Sequence, residues 1–229
     1  TGSLGGEKAI WEALFEQTGA IQVNSLEEML DTVLAFLHIP PPRGARVCSV
    51  GGGGGISVTA ADACEMAGLS VSPFSPQLQR RLSSILPPVG SSFRNPVDVA
   101  SPFPSPNVLR ATLETVLAEG EVDILIVDQI DMAGQGVNKG AQKEEFERVH
   151  QKLVQIPVDV KKKFDKPIVV VLPVQLVGLD AMKVEAERRK ICRYYHAQGI
   201  PVFLSLERAA KALANLVNYY QRLETILVE

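Results

Sequence analysis

With 229 residues, 46% of them hydrophobic and 21% charged, the chain is long enough for one large α/β domain or a domain plus an arm, and too apolar for wholesale disorder. Its net charge of −3 does not suit a general nucleic-acid binder, and no apolar run approaches the roughly 20 residues of a bilayer span. Cys48, Cys64 and Cys192 are an odd number without a C-x-x-C pair, which points to a reducing, cytoplasmic setting and away from a disulfide framework or a zinc site.

The opening Thr1-Gly2-Ser3-Leu4-Gly5-Gly6 has neither the basic nor the apolar region of a signal peptide. Residues 7–18 read as a helix ended by Gly19, and Ser25 opens a second helix with Glu28 placed for a capping box. Leu26, Met29, Leu30, Val33, Leu34 and Leu37 form an apolar stripe on it, and Pro40-Pro41-Pro42 makes a stiff stop. We therefore place a helical arm at 1–42 and a compact domain at 43–229. The arm is expected to pack less tightly than the core helices, its stripe favouring a neighbouring domain or a second copy of the chain.

From Arg46 the pattern alternates. Strands are expected at 46–50, 69–72, 123–128, 167–172 and 200–203, and helices at 56–67, 76–85, 106–118, 141–163, 180–197 and 206–224. The runs Asp123-Ile-Leu-Ile-Val-Asp128 and Pro167-Ile-Val-Val-Val-Leu172 are continuous in the way of strands covered on both faces. Residues 86–105, which include Asn95-Pro96-Val97-Asp98, read as irregular, and Gly134, Gly136 and Gly140 mark a loop. Five strands joined through helices specify a three-layer, doubly wound parallel sheet of the flavodoxin-like order 2-1-3-4-5.

In such a sheet ligands bind beyond the carboxyl ends of the strands. Five glycines, Gly51 to Gly55, follow the first strand there and lead into a helix. Bare backbone N–H groups and the helix dipole favour an anion, phosphate above all, held by Gly52, Gly53, Gly54, Gly55, Ile56 and Ser57. No Lys follows the glycines as a P-loop requires. The G-x-G-x-x-G fingerprint also fails, because the sixth position is Ile56 or Ser57 and the second strand ends in Ser72-Pro73 without an acidic ribose reader. His38, His150 and His196 lack ligand spacing, and Lys161-Lys162-Lys163 and Arg188-Arg189-Lys190 read as solvated helix faces. A receiver or FMN module is disfavoured because residues 46–50 carry no acidic cluster.

Four stretches resemble the ADP-forming (NDP-forming) acyl-CoA synthetases, relatives of succinyl-CoA synthetase. They are TGSLGGEKAIWEALFEQTGAIQVNSLEEMLD at 1–31, RVCSVGGGGGISVTAADACEMAGLSV at 46–71, LPP with NPVD at 86–88 and 95–98, and GIPVFLSLERAAKAL at 199–213. The resemblance implies the second flavodoxin-like domain, a succinyl-CoA synthetase-like ligase domain, with its preceding linker. The family reaction is acyl-CoA + ADP + phosphate = acid + CoA + ATP, with a histidine carrying the phosphoryl group. The resemblance further implies that the 51–57 loop stabilises that phosphohistidine, with Asn95 and Asp98 in support. The histidine itself lies in a family segment like S-H-T-G-S-L-A-G, which places it immediately before Thr1 and leaves no catalytic residue in this chain. CoA, ATP or ADP, phosphate and Mg would serve the parent enzyme, with none bound tightly here, and the partners would be the CoA-binding, phosphohistidine and ATP-grasp domains or subunits. The family loop often reads T-N-A-G-G-P-G, so Gly52 stands at its Asn and Ser57 at its last Gly. The alternative is a non-catalytic binding or regulatory module of the same ancestry.

Overall fold

A computed structural model describes residues 7–101, 104–129, 141–174 and 181–228. In chain order the elements are α1 (Lys8–Thr18), α2 (Leu26–His38), β1 (Val47–Gly51), α3 (Gly54–Met66), α4 (Pro76–Ser83), β2 (Ser91–Ser92), β3 (Val97–Val99), α5 (Pro106–Ala118), β4 (Ile124–Asp128), α6 (Ala141–Phe164), β5 (Ile168–Val171), α7 (Ala181–Ala197), β6 (Val202–Phe203) and α8 (Leu206–Val228). The glycines at 134, 136 and 140 lie outside the described residues.

Local chemistry sets the helix ends. Ser25, Ser75 and Ser105 each accept an N–H from three residues on, at Glu28, Leu78 and Val108. Proline takes the first helical position after the second and third of these caps, where its missing N–H costs nothing. The carboxylate of Glu28 returns to the backbone N–H and side-chain amide of Asn24, one residue before the cap, so the capping box is displaced by one position. Gly19 closes α1 in the left-handed conformation at φ 68°.

The sheet runs in the order β2-β3-β1-β4-β5-β6. Among the described residues every pairing is parallel except the short β2–β3 pair. Alternation along the strands then builds two cores. Cys48, Val50, Leu125, Val127, Ile168 and Val170 face α4, α5, α6 and α7. Val47, Ile124, Ile126, Val169 and Val171 face α3 and α8. The outcome is a doubly wound α/β sheet between two helical layers, as expected. Cys48 and Cys64 are buried core residues whose thiols burial pushes up, that of Cys64 to about 12.

The flank of the sheet differs from expectation. Residues 69–72 form no strand; Ser70 makes one parallel bridge to Arg46. Past that bridge the edge of β1 pairs with β3 instead, Val50 opposite Val97 and Gly51 opposite Asp98. The place expected for a second strand is thus shared by two short segments, and the stretch read as irregular supplies the one at the functional end. Asn95 fastens them together, its side-chain amide donating to the carbonyls of Val47 (2.7 Å) and Ser72 (3.2 Å).

The expectation of a loosely held arm does not describe α2. One face of this helix packs on α8, where Asp31 makes a two-pronged pair with Arg208 at 2.6 and 2.9 Å. Asn215 donates to Thr32 and Glu28, and Ala35 joins the core. The reason is a second, mixed stripe at helical spacing (Glu28, Asp31, Thr32, Ala35) behind the apolar one. That apolar stripe is exposed at Leu26, Met29, Leu30, Val33 and Leu37. No residue of α1 is buried.

Candidate anion site at the glycine loop

β1 delivers the glycine loop to the carboxyl end of the sheet, between β3 and β4. Two of its glycines are needed for distinct reasons. Gly53 caps α3 with φ 115°, a backbone angle that side chains rarely adopt. A Cβ at Gly51 would stand 3.1 Å from Cβ of Asp128, tighter than ordinary contact, so the close approach of β1 to β4 favours hydrogen there.

The N-terminus of α3 has no side-chain cap and no acidic residue in its first turn. Gly54, Gly55 and Ile56 are its first three residues, and their N–H groups have no partner within the helix. Gly54 and Gly55 are exposed. The loop is held in place from beside it, because Asp98 Oδ1 accepts the N–H of Gly53 at 2.9 Å and that of Ala100 at 2.9 Å. Of the six expected donors, Gly53 is therefore spent on Asp98, and the Ser57 N–H is spent on the Gly53 carbonyl. Gly52, Gly54, Gly55 and Ile56 remain as the open set. Asp98 acts by fixing the loop, and Asn95 acts one step further away, on the strands beneath it.

Three residues without a role in the sequence reading border the site. Asp128 ends β4 and lines a cleft with Gly51, Gly52, Gln129 and His150. It also lines a second, with Gly55, Ile56, Ser205 and Glu207. Burial pushes its carboxyl up to about 6. Gln129 is fixed by accepting from the Tyr195 hydroxyl and donating to the Leu153 carbonyl. Position at the carboxyl end of a buried strand was the available signal for Asp128 and Gln129. For His150 on α6 there was none, since nothing in its spacing ties it to residue 51.

The other two histidines stack on each other, His38 against His196 with ring centroids 5.4 Å apart, away from the loop. Lys161 donates to the Gln198 carbonyl and Lys163 pairs with Glu114, so two of the three lysines in the run are engaged by neighbouring elements. Among the described residues no three His, Cys, Asp or Glu side chains gather to hold a metal ion, and no helix is long and apolar enough to cross a membrane.

Comparison with known proteins agrees with this architecture. The chain is 28% identical over 220 residues to the ADP-forming 4-hydroxybutyrate–CoA ligase of Nitrosopumilus maritimus, covering 96% of this chain and 28% of that protein. It is 36% identical over 126 residues to the alpha subunit of ADP-forming acetate–CoA ligase II of Pyrococcus furiosus, covering 55% of this chain and 27% of that one. The chain thus spans less than a third of these relatives. Among solved structures, the dinucleotide forming acetyl-coenzyme A synthetase 1 of Ca. Korarchaeum cryptofilum, in complex with phosphate and ADP, superposes with a TM-score of 0.74 at 23% identity, over 97% of this chain and 43% of that one. That likeness shows the shared fold. The model of the Ligase-CoA domain matches residues 47–222, from β1 to near the end of α8, and the chain belongs to that family.

Proposed function

We propose that this chain is the phosphoryl-stabilising domain of an ADP-forming acyl-CoA synthetase, an acid–thiol ligase. The glycine loop and the N-terminus of α3 would receive the phosphoryl group of a phosphohistidine supplied from outside these residues. One observation carries the reading: an uncapped helix start at the carboxyl end of the sheet, with Gly54, Gly55 and Ile56 presenting N–H groups and Asp98 fixing the loop that aims them. Each charge-assisted hydrogen bond to such a donor contributes about 1.5–3 kcal/mol before desolvation. The donors are fixed before the anion arrives, so little reorganisation opposes binding.

On this reading CoA, nucleotide and Mg chemistry belongs to other domains or subunits of the synthetase, and the acid used is not set by these residues. The chain alone is expected to be inactive. Acyl-CoA formation from ATP, CoA and short acids by this polypeptide without others would overturn the assignment. The direct test is a phosphate titration followed by amide chemical shifts. Shifts confined to residues 51–57 at millimolar phosphate are expected; shifts centred on Lys161–Lys163 would make the site a generic basic patch.

A second reading, a non-catalytic module of the same ancestry, is favoured by one feature. Asp98, Asp128 and Glu207 surround the loop, while no Lys or Arg lines either cleft among the described residues. Phosphoryl transfer to histidine in the intact parent protein separates the two readings.

A further inference from the structure

Asp128 is the group at the loop that phosphoryl stabilisation leaves without a use. Its Oδ1 is buried and has no hydrogen-bond partner among the described residues. Its Oδ2 lies 3.7 Å from the place a Cβ would take at Gly51. It borders the clefts on both sides of the loop, one reaching Gly51 and Gly52, the other Gly55 and Ile56. A carboxylate in that position opposes an incoming anion; a carboxylic acid there offers a donor.

We propose that Asp128 is a proton-controlled gate for the anion at the glycine loop. With its proton on, the O–H donates to a phosphoryl oxygen held by the loop; with the proton off, its charge repels that group. The inference rests on the reading of the loop as a phosphoryl site and adds the condition under which the site fills.

The neighbouring charges favour this assignment. From β3, Asp98 faces the loop, but its Oδ1 already accepts two backbone N–H groups. From α8, Glu207 is held below the usual carboxylate range by the Ser205 hydroxyl and by the N–H at its own helix start. From α3 comes no charge in the first turn, and β5 presents Val171. Among the described residues that line these clefts, His150 on α6 is the other side chain to be tested against Asp128. Burial without a partner pushes Asp128 up to about 6, so its proton is exchanged near neutral pH.

By linkage, whatever factor the proton adds to anion affinity the anion adds to proton affinity. Sulfate is the probe, since its charge is constant between pH 5 and 8 and only the protein titrates. Amide shifts of residues 52–56 are expected to give about tenfold tighter binding at pH 5 than at pH 8, equivalent to one pKa unit upward on Asp128. Asp128→Asn is expected to flatten the profile and bind at pH 8 as the native chain does at pH 5. His150→Gln is expected to keep the native pH dependence. Should Asp128→Asn not fold, the carboxyl carbon shift of Asp128 in the native chain reads the same quantity, and its midpoint is expected to rise on adding sulfate. Equal sulfate affinity at pH 5 and 8 in the native chain overturns the gate and leaves the loop reading standing. A pH dependence lost in His150→Gln but kept in Asp128→Asn also overturns it. Absence of shifts at 51–57 at every pH overturns the loop reading itself.

Discussion

The strand β4 and the residue before it carry an aspartate at each end of one apolar run, and the two live in opposite electrostatic worlds. Asp123, at the amino end of the sheet, accepts from the backbone N–H of Arg46 and from two nitrogens of its guanidinium, at 3.1, 3.0 and 2.7 Å. Burial pushes its carboxyl up, but the Arg46 hydrogen bonds more than offset that and hold it below the usual range. Lys166 completes this end by donating to the Val122 carbonyl. Asp128, at the carboxyl end, has burial and, among the described residues, no compensating partner on Oδ1. The difference separates structure from function. A satisfied buried charge ties elements together, whereas an unsatisfied one is retained at a cost to stability and marks a place where something else is meant to bind.

The sharpest break of that comparison is the pair of isosteric changes Asp123→Asn and Asp128→Asn, which are expected to have opposite signs. Asp123→Asn removes charge-assisted bonds but leaves Arg46 half exposed, so a loss of about 2–3 kcal/mol at pH 8 is expected in urea unfolding. The folded pKa of Asp123 is depressed, so its contribution is present above the unfolded value and is lost as the pH falls through the lower folded value. Asp128 runs the other way. Its folded pKa is raised from 3.8 to about 6, so stability falls as the pH rises across that window, by roughly 3 kcal/mol at about 1.36 kcal/mol per unit. Asp128→Asn is therefore expected to stabilise the chain at pH 8 and to be neutral at pH 4. Destabilisation by both changes at pH 8 would erase the distinction between the two ends.

The next effect sharpens the carboxyl end alone. Gly53→Ala places a Cβ on a residue at φ 115°, costing about 1–3 kcal/mol, and displaces the N–H that Asp98 holds. Gly51→Ala drives a methyl to 3.1 Å from Asp128, and about 1–3 kcal/mol is expected for forcing β1 and β4 apart. Thermal unfolding reads both. The second is expected to weaken in an Asp128→Gly background, where the opposing Cβ is gone.

The two ends of the sheet were unequally legible in the sequence. Ile124-Leu-Ile-Val-Asp128 and Ile168-Val-Val-Val171 announce buried parallel strands, because both faces are covered and no polar residue interrupts them. Leu69-Ser-Val-Ser72 alternates like a strand, yet its neighbour β1 is claimed by Val97–Val99 from a stretch opened by Asn95-Pro96. Only the tertiary register decides between the two. The glycine run marked the loop, but not that two of its six donors are already spent. Asp98 reaches Gly53 across 45 residues of chain, and no local pattern encodes that contact. On α2 the apolar stripe was visible and the Asp31–Arg208 pair, spanning 177 residues, was not.

The smallest effect tests whether the open donors at the carboxyl end are open in fact. Gly55 lies at the second position of α3, without a positive φ, and a Cβ added there meets no heavy atom within 4 Å. Alanine keeps the backbone N–H and has the better helix propensity, worth less near a helix start than the ~1 kcal/mol of an interior site. A gain of about 0.5 kcal/mol in urea unfolding is therefore expected for Gly55→Ala. The methyl group also occupies part of the space above the first turn. If the anion sits there, sulfate binding falls while stability rises, because the donor remains and the room does not. If binding is unchanged, the anion approaches from the Gly51–Gly52 side, where Asp128 forms the wall. A loss of stability would instead mean that α3 begins later than Gly54, and that the donors counted as free are not in helical geometry.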